Sequence, residues 1–321
     1  MRKRLVRSAS IYVFFLIVFN SVCFGQDPGF SQFYANPLDL NPAFAGTARC
    51  PRINLNYRNQ WPGIDNSFVT YSASYDQHFD KLNGGLGLIV MNDRTGENVL
   101  NTTNIGVIYS NQLEVNRNFS IKFGVQGTYF QRSLKTQNLK FGDMIDPRRG
   151  FVLQTNEPVF DETNSFFDAS AGFLGFSEKF YFGFAVHHLT EPEETFLGSN
   201  SVLPRKYTAH MGAVLPMGIR HEDMSWSPNV MYQTQGTFTH LNLGVYINKG
   251  PVVFGLWHRI GDSFIALVGV ETDEFKVGYS YDITTSTLSN KAAGSHELSF
   301  RMNLPCPPRK VKFKTISCPS F

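Results

Sequence analysis

The residues with the clearest chemical potential are two pairs that contain histidine, His187-His188 and His296-Glu297. Both lie in stretches whose alternation predicts β-strands, and neighbouring strand residues point to opposite faces. His187 and His188 are therefore not expected to bind one metal ion together. His296-Glu297 lacks the second histidine of a helical zinc-protease motif, and the chain has no Gly-x-Ser-x-Gly elbow or phosphate-binding loop. The sequence thus predicts a protein that is not an enzyme, with no metal, cofactor or small-molecule substrate.

The elements that carry these residues are strands, because apolar and polar residues alternate along most of the chain. In residues 275–283, Phe275, Val277 and Tyr279 share one face, while Lys276 and Gly278 share the other. Several of these segments run for ten residues or more, longer than the usual five or six of a soluble sheet. The fourteen segments start near Ile53, Phe68, Leu86, Thr103, Phe119, Phe166, Phe180, Tyr207, Ser225, Phe238, Val252, Phe264, Phe275 and Ser295.

Segments of this length, apolar on one face and polar on the other, are typical of tilted strands that cross a bilayer. Such strands must close on themselves, because lipid offers no hydrogen-bond partner to an open edge. The predicted fold is all-β, an outer-membrane β-barrel of about 14 antiparallel strands over residues 52–304. A secreted β-sandwich or propeller is the alternative, although it would have shorter strands and more charge on its solvent face.

Connection lengths favour the barrel independently. When the connections between strands are numbered along the chain, starting after the first strand, the even-numbered ones are mostly short. The odd-numbered ones include the longest, residues 133–165, 190–205 and 284–294. Outer-membrane barrels have short periplasmic turns and longer external loops. This pattern predicts that both termini lie in the periplasm.

Residues 1–25 have the layout of a secretory signal peptide, with a basic head, an apolar run over residues 11–19 and small residues before Gln26. A lipoprotein cleavage before Cys23 is the weaker alternative. Removing these residues changes the formal net charge from +3 to −1, because the four basic residues of the head are lost. A near-neutral remainder gives no indication of nucleic-acid binding.

Residues 26–51 follow the signal and do not alternate. Asn36-Pro37 and Asn41-Pro42 are turn-starting pairs, since proline biases the preceding residue away from the helical region. A segment this apolar needs a surface on which to rest. We expect it to cap the inner mouth of the barrel through Phe33, Tyr34, Leu38 and Phe44.

The polar strand faces are expected to line the lumen, and their charges have both signs. A ring of one sign would indicate ion selectivity, whereas mixed charges suggest an interior that is braced or occluded; simple exposure to water is the alternative. These faces also carry Lys206, and the seven charged residues singled out as lumen-facing are Arg58, Asp76, Lys122, Lys276, Asp282, Glu297 and Arg301.

Three cysteines remain after the signal: Cys50, Cys306 and Cys318. In a closed, even-stranded barrel the first strand pairs with the last, so Cys50 and Cys306 become neighbours at one rim. An oxidising periplasm would permit a disulfide bond between them. A Cys306–Cys318 bond and three free thiols are the alternatives.

Several motifs are similar to those of the PorP/SprF family of type IX secretion system membrane proteins. They include Ser-Gln-Phe-Tyr-Ala-Asn-Pro at residues 31–37 and Leu-Asn-Pro-Ala at 40–43. The other matches are Phe-Gly-Asp at 141–143 with Ile-Asp at 145–146, Val-His-His-Leu-Thr-Glu-Pro at 186–192, Leu-Pro-Arg-Lys-Tyr-Thr-Ala-His at 203–210, Gly-Tyr-Ser-Tyr-Asp at 278–282 and Gly-Ser-His-Glu at 294–297.

The resemblance implies a barrel in outer-membrane lipid that docks or retains another protein. Its partner would be the periplasmic ring lipoprotein of the secretion machine or the C-terminal domain of a secreted adhesin, in general secretion or in gliding motility. The tail, residues 305–321, would hang in the periplasm, where its basic residues could meet an acidic partner; a solvated, disordered end is the alternative. Those basic residues are Arg309, Lys310, Lys312 and Lys314. A passive porin or small-solute channel is the competing function.

Overall fold

A computed structural model describes residues 26–48, 50–64, 67–96, 98–116, 118–135, 139, 141–156, 161–196, 201–217, 224–285 and 293–306. The predicted signal peptide lies outside the described residues, as does most of the basic tail, with Arg309, Lys310, Lys312, Lys314 and Cys318. Among the described residues, no helix has the length and hydropathy needed to cross a membrane.

Strands make up most of the described part of the chain. In chain order they are β1 (Arg52–Gln60), β2 (Phe68–Phe79), β3 (Gly84–Thr95), β4 (Leu100–Asn116), β5 (Phe119–Lys135), β6 (Ile145–Asp146), β7 (Gly150–Phe151), β8 (Asp161–Ser177), β9 (Phe180–His187), β10 (Lys206–Ala213), β11 (Leu215–Pro216), β12 (Met224–Gln235), β13 (Phe238–Lys249), β14 (Val252–Arg259), β15 (Ser263–Glu271), β16 (Phe275–Thr284) and β17 (Ser295–Asn303).

Fourteen of these strands form a closed antiparallel barrel. Each pairs with its neighbours, β1 pairs with β17 in a register that sets Arg52 opposite Asn303, and β10 pairs with β12 to complete the ring. The short strand β11 adds to the edge of β12, while β6 and β7 form a separate hairpin between β5 and β8. The predicted all-β barrel of about 14 strands is therefore confirmed.

The largest difference from the predicted strands lies at β8. It begins at Asp161 rather than near Phe166, and residues 161–165 pair with residues 131–135 of β5. Polar residues prevail on both faces there, so the alternating signal disappears although the backbone ladder continues.

The outer wall of the barrel is apolar and the inner wall is polar. Val125, Phe167 and Leu256 on the outer wall are 57%, 76% and 63% exposed. Inward-facing neighbours such as Ser72, Ser74 and Ser170 are buried. An apolar exterior around a polar interior is the arrangement that lipid favours in a transmembrane barrel.

The two rims of the barrel differ. At the chain-end rim, where β1 begins and β17 ends, most connections are short, for example residues 178–179 and 250–251, although residues 214–223 join β10 to β12. At the opposite end, the far rim, the connections include residues 136–160 and 188–205. Cys50 and Cys306 form a disulfide at the chain-end rim, with their Cα atoms 4.5 Å apart. The predicted Cys50–Cys306 pairing is confirmed, which excludes the rival bond from Cys306 to Cys318.

Candidate functional site

The luminal segment, residues 26–48, occupies the interior of the barrel. It consists of short helical turns at Phe33–Ala35, Pro37–Leu40 and Pro42–Phe44. Pro37 and Pro42 each stand at the start of a turn, where the missing N–H is no loss and the fixed φ suits helical backbone. The side chain of Asn41 accepts a hydrogen bond from the N–H of Ala43 (2.9 Å) and so caps the last turn. The two Asn-Pro pairs thus give the segment a compact, folded shape that fits within the lumen.

The four residues predicted to form a cap are buried inside the barrel. Phe33, Tyr34, Leu38 and Phe44 are 6%, 5%, 0% and 5% exposed. Ring contacts join the three aromatic residues to the wall, including Phe33 with Trp257, whose centroids lie 5.0 Å apart. The segment reaches farther than the inner mouth, since its first residues contact wall residues near the far rim. That it acts as a cap stays a prediction.

A buried charge cluster holds the middle of the luminal segment. Arg58 on β1 forms ion pairs with Asp282 on β16 (2.9 Å) and Glu297 on β17 (3.1 Å). Glu297 also accepts hydrogen bonds from the N–H groups of Ser31 (2.6 Å) and Gln32 (3.1 Å). The hydroxyl of Ser31 bonds both Asp282 and Arg58. Since a buried carboxylate needs several donors to offset its lost hydration, the wall and the segment stabilise each other here.

A second polar attachment holds the segment near the far rim through Asp27. Its carboxylate lies 2.8 Å from Nε2 of His188 and 3.6 Å from Nζ of Lys206, and its N–H donates to Gln235 (2.9 Å). Nδ1 of His188 lies 2.8 Å from Asp168. These five side chains form a network that we call the far-rim latch.

Neighbouring charges set the protonation states of His188 and Asp27 in the far-rim latch. Burial alone would lower the pKa of His188, but the carboxylates of Asp27 and Asp168 outweigh it and raise that pKa to about 9. Burial would raise the pKa of Asp27, yet His188 and Lys206 lower it well below its ordinary value. At neutral pH the latch is therefore a histidinium between two carboxylates.

Toward its C-terminal end, the luminal segment lies in close contact with the backbone of the barrel strands. A Cβ at Gly124 on β5 would overlap the backbone of Pro42 and Ala43. At Gly172 on β8, a Cβ would overlap the side-chain oxygen of Asn41. The Asn41 amide donates to the carbonyl of Phe173 (3.0 Å). Glycine is needed at these two wall positions because the segment lies directly on the strand backbone.

Wall side chains also bind the backbone of the segment near the chain-end rim. Lys122 Nζ and Ser110 Oγ both donate to the carbonyl of Ala45, at 2.7 Å and 2.6 Å. Asp76 accepts from the N–H of Gly46 (2.7 Å) and pairs with Arg52. These bonds satisfy backbone groups that the short helical turns leave unpaired.

The seven charged residues singled out as lumen-facing are buried in the barrel. Pairing runs along the wall and to the luminal segment; Arg301, for example, donates to the carbonyl of Tyr34 (3.1 Å). Their exposed fractions are at most 9% for Arg58, Asp76, Lys122, Lys276, Asp282, Glu297 and Arg301.

The prediction that His187 and His188 point to opposite faces is wrong. Strand β9 ends at His187, and His188 adopts a left-handed backbone conformation (φ 58°), so both side chains are buried beside the lumen. Sequence reasoning also missed Asp27 and Arg52. Their only signal was a charged residue beside an otherwise apolar or strand-forming stretch, which does not identify a partner.

Above the luminal segment lies a chamber of about 590 Å³ toward the far rim. Asp27, Phe30 and Asp39 of the segment line it, together with wall residues such as Trp61 and Arg132. Its volume suits a small ligand or a few residues of another chain. Within the described ranges, no three His, Cys, Asp or Glu side chains are grouped so as to hold a metal ion.

Several solved membrane barrels are similar to this structure. A FadL homologue of Pseudomonas aeruginosa is 14% identical, with a TM-score of 0.44 over 82% of this chain and 92% of that one. The toluene transporter TbuX of Ralstonia pickettii is 8% identical, with a TM-score of 0.47 over 84% and 93%. The outer membrane protein Omp33 of Acinetobacter baumannii is 9% identical, with a TM-score of 0.41 over 79% and 98%. With TM-scores below 0.5 and identities this low, these similarities carry no conclusion about the present chain.

No curated protein matches the chain. One family model does, that of the type IX secretion system membrane protein PorP/SprF, and it spans residues 22–302. The match covers the luminal segment and every strand of the barrel but the last residue of β17. The chain therefore belongs to the PorP/SprF family of type IX secretion system membrane proteins.

Proposed function

We propose that this protein is a non-enzymatic outer-membrane component of the type IX secretion system that anchors a partner protein rather than conducting solutes. The partner is either the periplasmic ring lipoprotein of the machine or the C-terminal domain of a secreted adhesin. Both termini face the periplasm, so the far rim lies at the cell surface.

The observation that carries this proposal is the occupied lumen of a barrel from a secretion family. Residues 30–46 of the luminal segment are almost completely buried, and charged wall residues are used to hold its backbone. A diffusion pore needs a continuous water-filled path lined by side chains that water can reach. Here the wall side chains are bonded to protein, which favours a closed scaffold.

The experiment is affinity purification of the tagged full-length chain from gently solubilised outer membranes, followed by mass spectrometry of the proteins that remain bound. Components of the secretion machine or a secreted adhesin should be enriched over a control purification of an unrelated outer-membrane barrel. Recovery of general porins and lipid alone would reject the anchoring role.

The conductance of the purified protein distinguishes a closed anchoring barrel from a passive porin. The purified full-length barrel in a planar bilayer should show no stable large openings, because the luminal segment fills the lumen. Long-lived openings of the intact protein would favour the channel and count against a closed scaffold.

A further inference from the structure

The hairpin between β5 and β8 has a fixed shape of its own. We call residues 141–156 the outer hairpin; it contains β6 and β7. Asp146 Oδ1 accepts from the N–H groups of Arg148 and Arg149, both at 2.8 Å, and Asp143 accepts from the N–H of Asn156 (2.7 Å). Gly150 supplies the left-handed turn conformation (φ 76°). Because these bonds lie within the hairpin, its shape is set before any partner arrives.

This hairpin exposes apolar side chains to an unusual degree. Ile145 and Phe151 stand opposite each other in the ladder, which places them on one face. Their exposed fractions are 46% and 55%, and those of the next two residues, Val152 and Leu153, are 58% and 51%. A contiguous apolar patch of this kind marks an interaction site when neither lipid nor core accounts for it.

Lipid does not account for this patch. The outward apolar face of β5 ends at Tyr129, whose ring lies 5.3 Å from that of Phe167 on β8. Beyond these aromatic residues the outward positions are polar: Gln131, Ser133 and Lys135 on β5, and Ser165 and Thr163 on β8. Aromatic residues mark the edge of the lipid-facing band in such barrels. Six further residues of β5 add about 20 Å along the tilted strand, so β5 itself continues well beyond that edge before the hairpin.

The charge of the hairpin indicates the kind of surface it fits. Both acidic side chains are bonded to N–H groups of the hairpin, whereas Arg148 and Arg149 are exposed. No ion pair joins either arginine to another residue in the described ranges. Arginine beside exposed aromatic and aliphatic groups is the composition that dominates protein interfaces.

We propose that the outer hairpin docks a second protein, whose matching surface is an apolar patch bordered by carboxylates. This rests on the proposed function only in placing the far rim outside the cell. The docked protein contacts Phe151, Val152 and Leu153 with its apolar patch, and its carboxylates pair with Arg148 and Arg149.

The test is site-specific photocrosslinking of the full-length protein in living cells. A photoreactive amino acid replaces Val152 in one variant and Val202 in the control, which is 46% exposed near the same rim. The Val152 position should give a product with one protein, mapped to apolar residues next to Asp or Glu. Arg148→Glu combined with Arg149→Glu should lower its yield about tenfold, and changing the mapped carboxylates to lysine should restore it.

Other products overturn the proposal: lipid or lipopolysaccharide at Val152, a second copy of this chain, or no product above the Val202 level. Heat-modifiable migration on gels confirms that each variant forms the barrel. Arg148→Gln combined with Arg149→Gln is a milder change that should give an intermediate yield.

Purification of secretion components from the same cells distinguishes the hairpin proposal from the proposed function. If they still copurify while crosslinking fails, only the hairpin proposal is rejected; if they do not copurify, the proposed function is rejected even when Val152 crosslinks to a protein.

Discussion

The two halves of the luminal segment are held by different proportions of charged contacts and close packing. Residues 27–36, the outer half, are held by charged side chains, above all Glu297 and the far-rim latch. Residues 37–46, the inner half, are held by charged side chains at their end, where Lys122 and Asp76 bond the backbone of Ala45 and Gly46. The rest of the inner half lies against strand backbone at Gly124 and Gly172 and buries Leu38 completely. Charge-based contacts depend on protonation and on single atoms, whereas close packing depends on shape. The outer half is therefore the part expected to respond to pH and to partners, and the inner half the part that fixes the segment in place.

Removing both halves should have the largest effect. Deleting residues 26–46 leaves the strand ladder intact but empties the lumen, so conductance in a planar bilayer should change from closed to open. Full-length protein from the same preparation is the control. An unchanged conductance in a deletion variant that still forms the barrel would show that the segment does not occlude it.

Breaking the inner half alone should have the next largest effect. Gly124→Ala places a methyl group into the backbone of Pro42 and Ala43, which cannot move aside cheaply, and overpacking of this kind costs about 1–3 kcal/mol. Gly127→Ala is the matched control on the same strand, because nothing lies within 4 Å of its added Cβ. Hydrogen exchange followed by mass spectrometry should show lost protection in residues 37–46 for Gly124→Ala only. Equal protection in the two variants would contradict the close fit.

A change at Glu297 should loosen the outer half and spare the inner half. Glu297→Gln keeps the shape but removes the charge that Arg58 and the N–H groups of Ser31 and Gln32 share, at a cost of about 1–3 kcal/mol. Amide hydrogen exchange, measured by mass spectrometry, should rise in residues 27–36 and remain unchanged in residues 37–46. Glu271→Gln, which affects a carboxylate paired with Lys276 instead, should leave both halves as they are. Equal loosening of both halves would show that the segment moves as one unit.

The far-rim latch should give the smallest effect, through pH. The pKa of His188 is raised from 6.5 to about 9, so its stabilising contribution is complete below pH 6.5 and is lost as pH rises through 9. Asp27 stays ionised over that range, because its pKa is lowered. Between pH 7 and 10, exchange of residues 27–30 should rise relative to residues 37–46 in the same molecule. His188→Gln should abolish this change in the ratio, and a ratio that depends on pH equally in both proteins would exclude the latch.

Part of the candidate site could be predicted from residue patterns. Arg58 and Glu297 stand on polar faces of alternating strands, and a period of two places such residues in the lumen regardless of tertiary detail. The pairing of Cys50 with Cys306 follows from barrel closure, although the sequence left alternatives. His188 was misplaced because one left-handed residue ends β9, and no local pattern signals it. Gly124 and Gly172 look like ordinary strand glycines until the segment that lies on them is known.

The sequence by itself determined the strands, their number and the apolar exterior. The alternation of apolar and polar residues is a local property, so the residues of each strand show which of its faces is apolar. Only the tertiary structure decided how the luminal segment runs and what holds it. Ser31 and Glu297 are 266 residues apart along the chain, and Asn41 and Phe173 are 132 apart. Contacts at such separations depend on the closure and size of the whole barrel, which no stretch of sequence encodes alone.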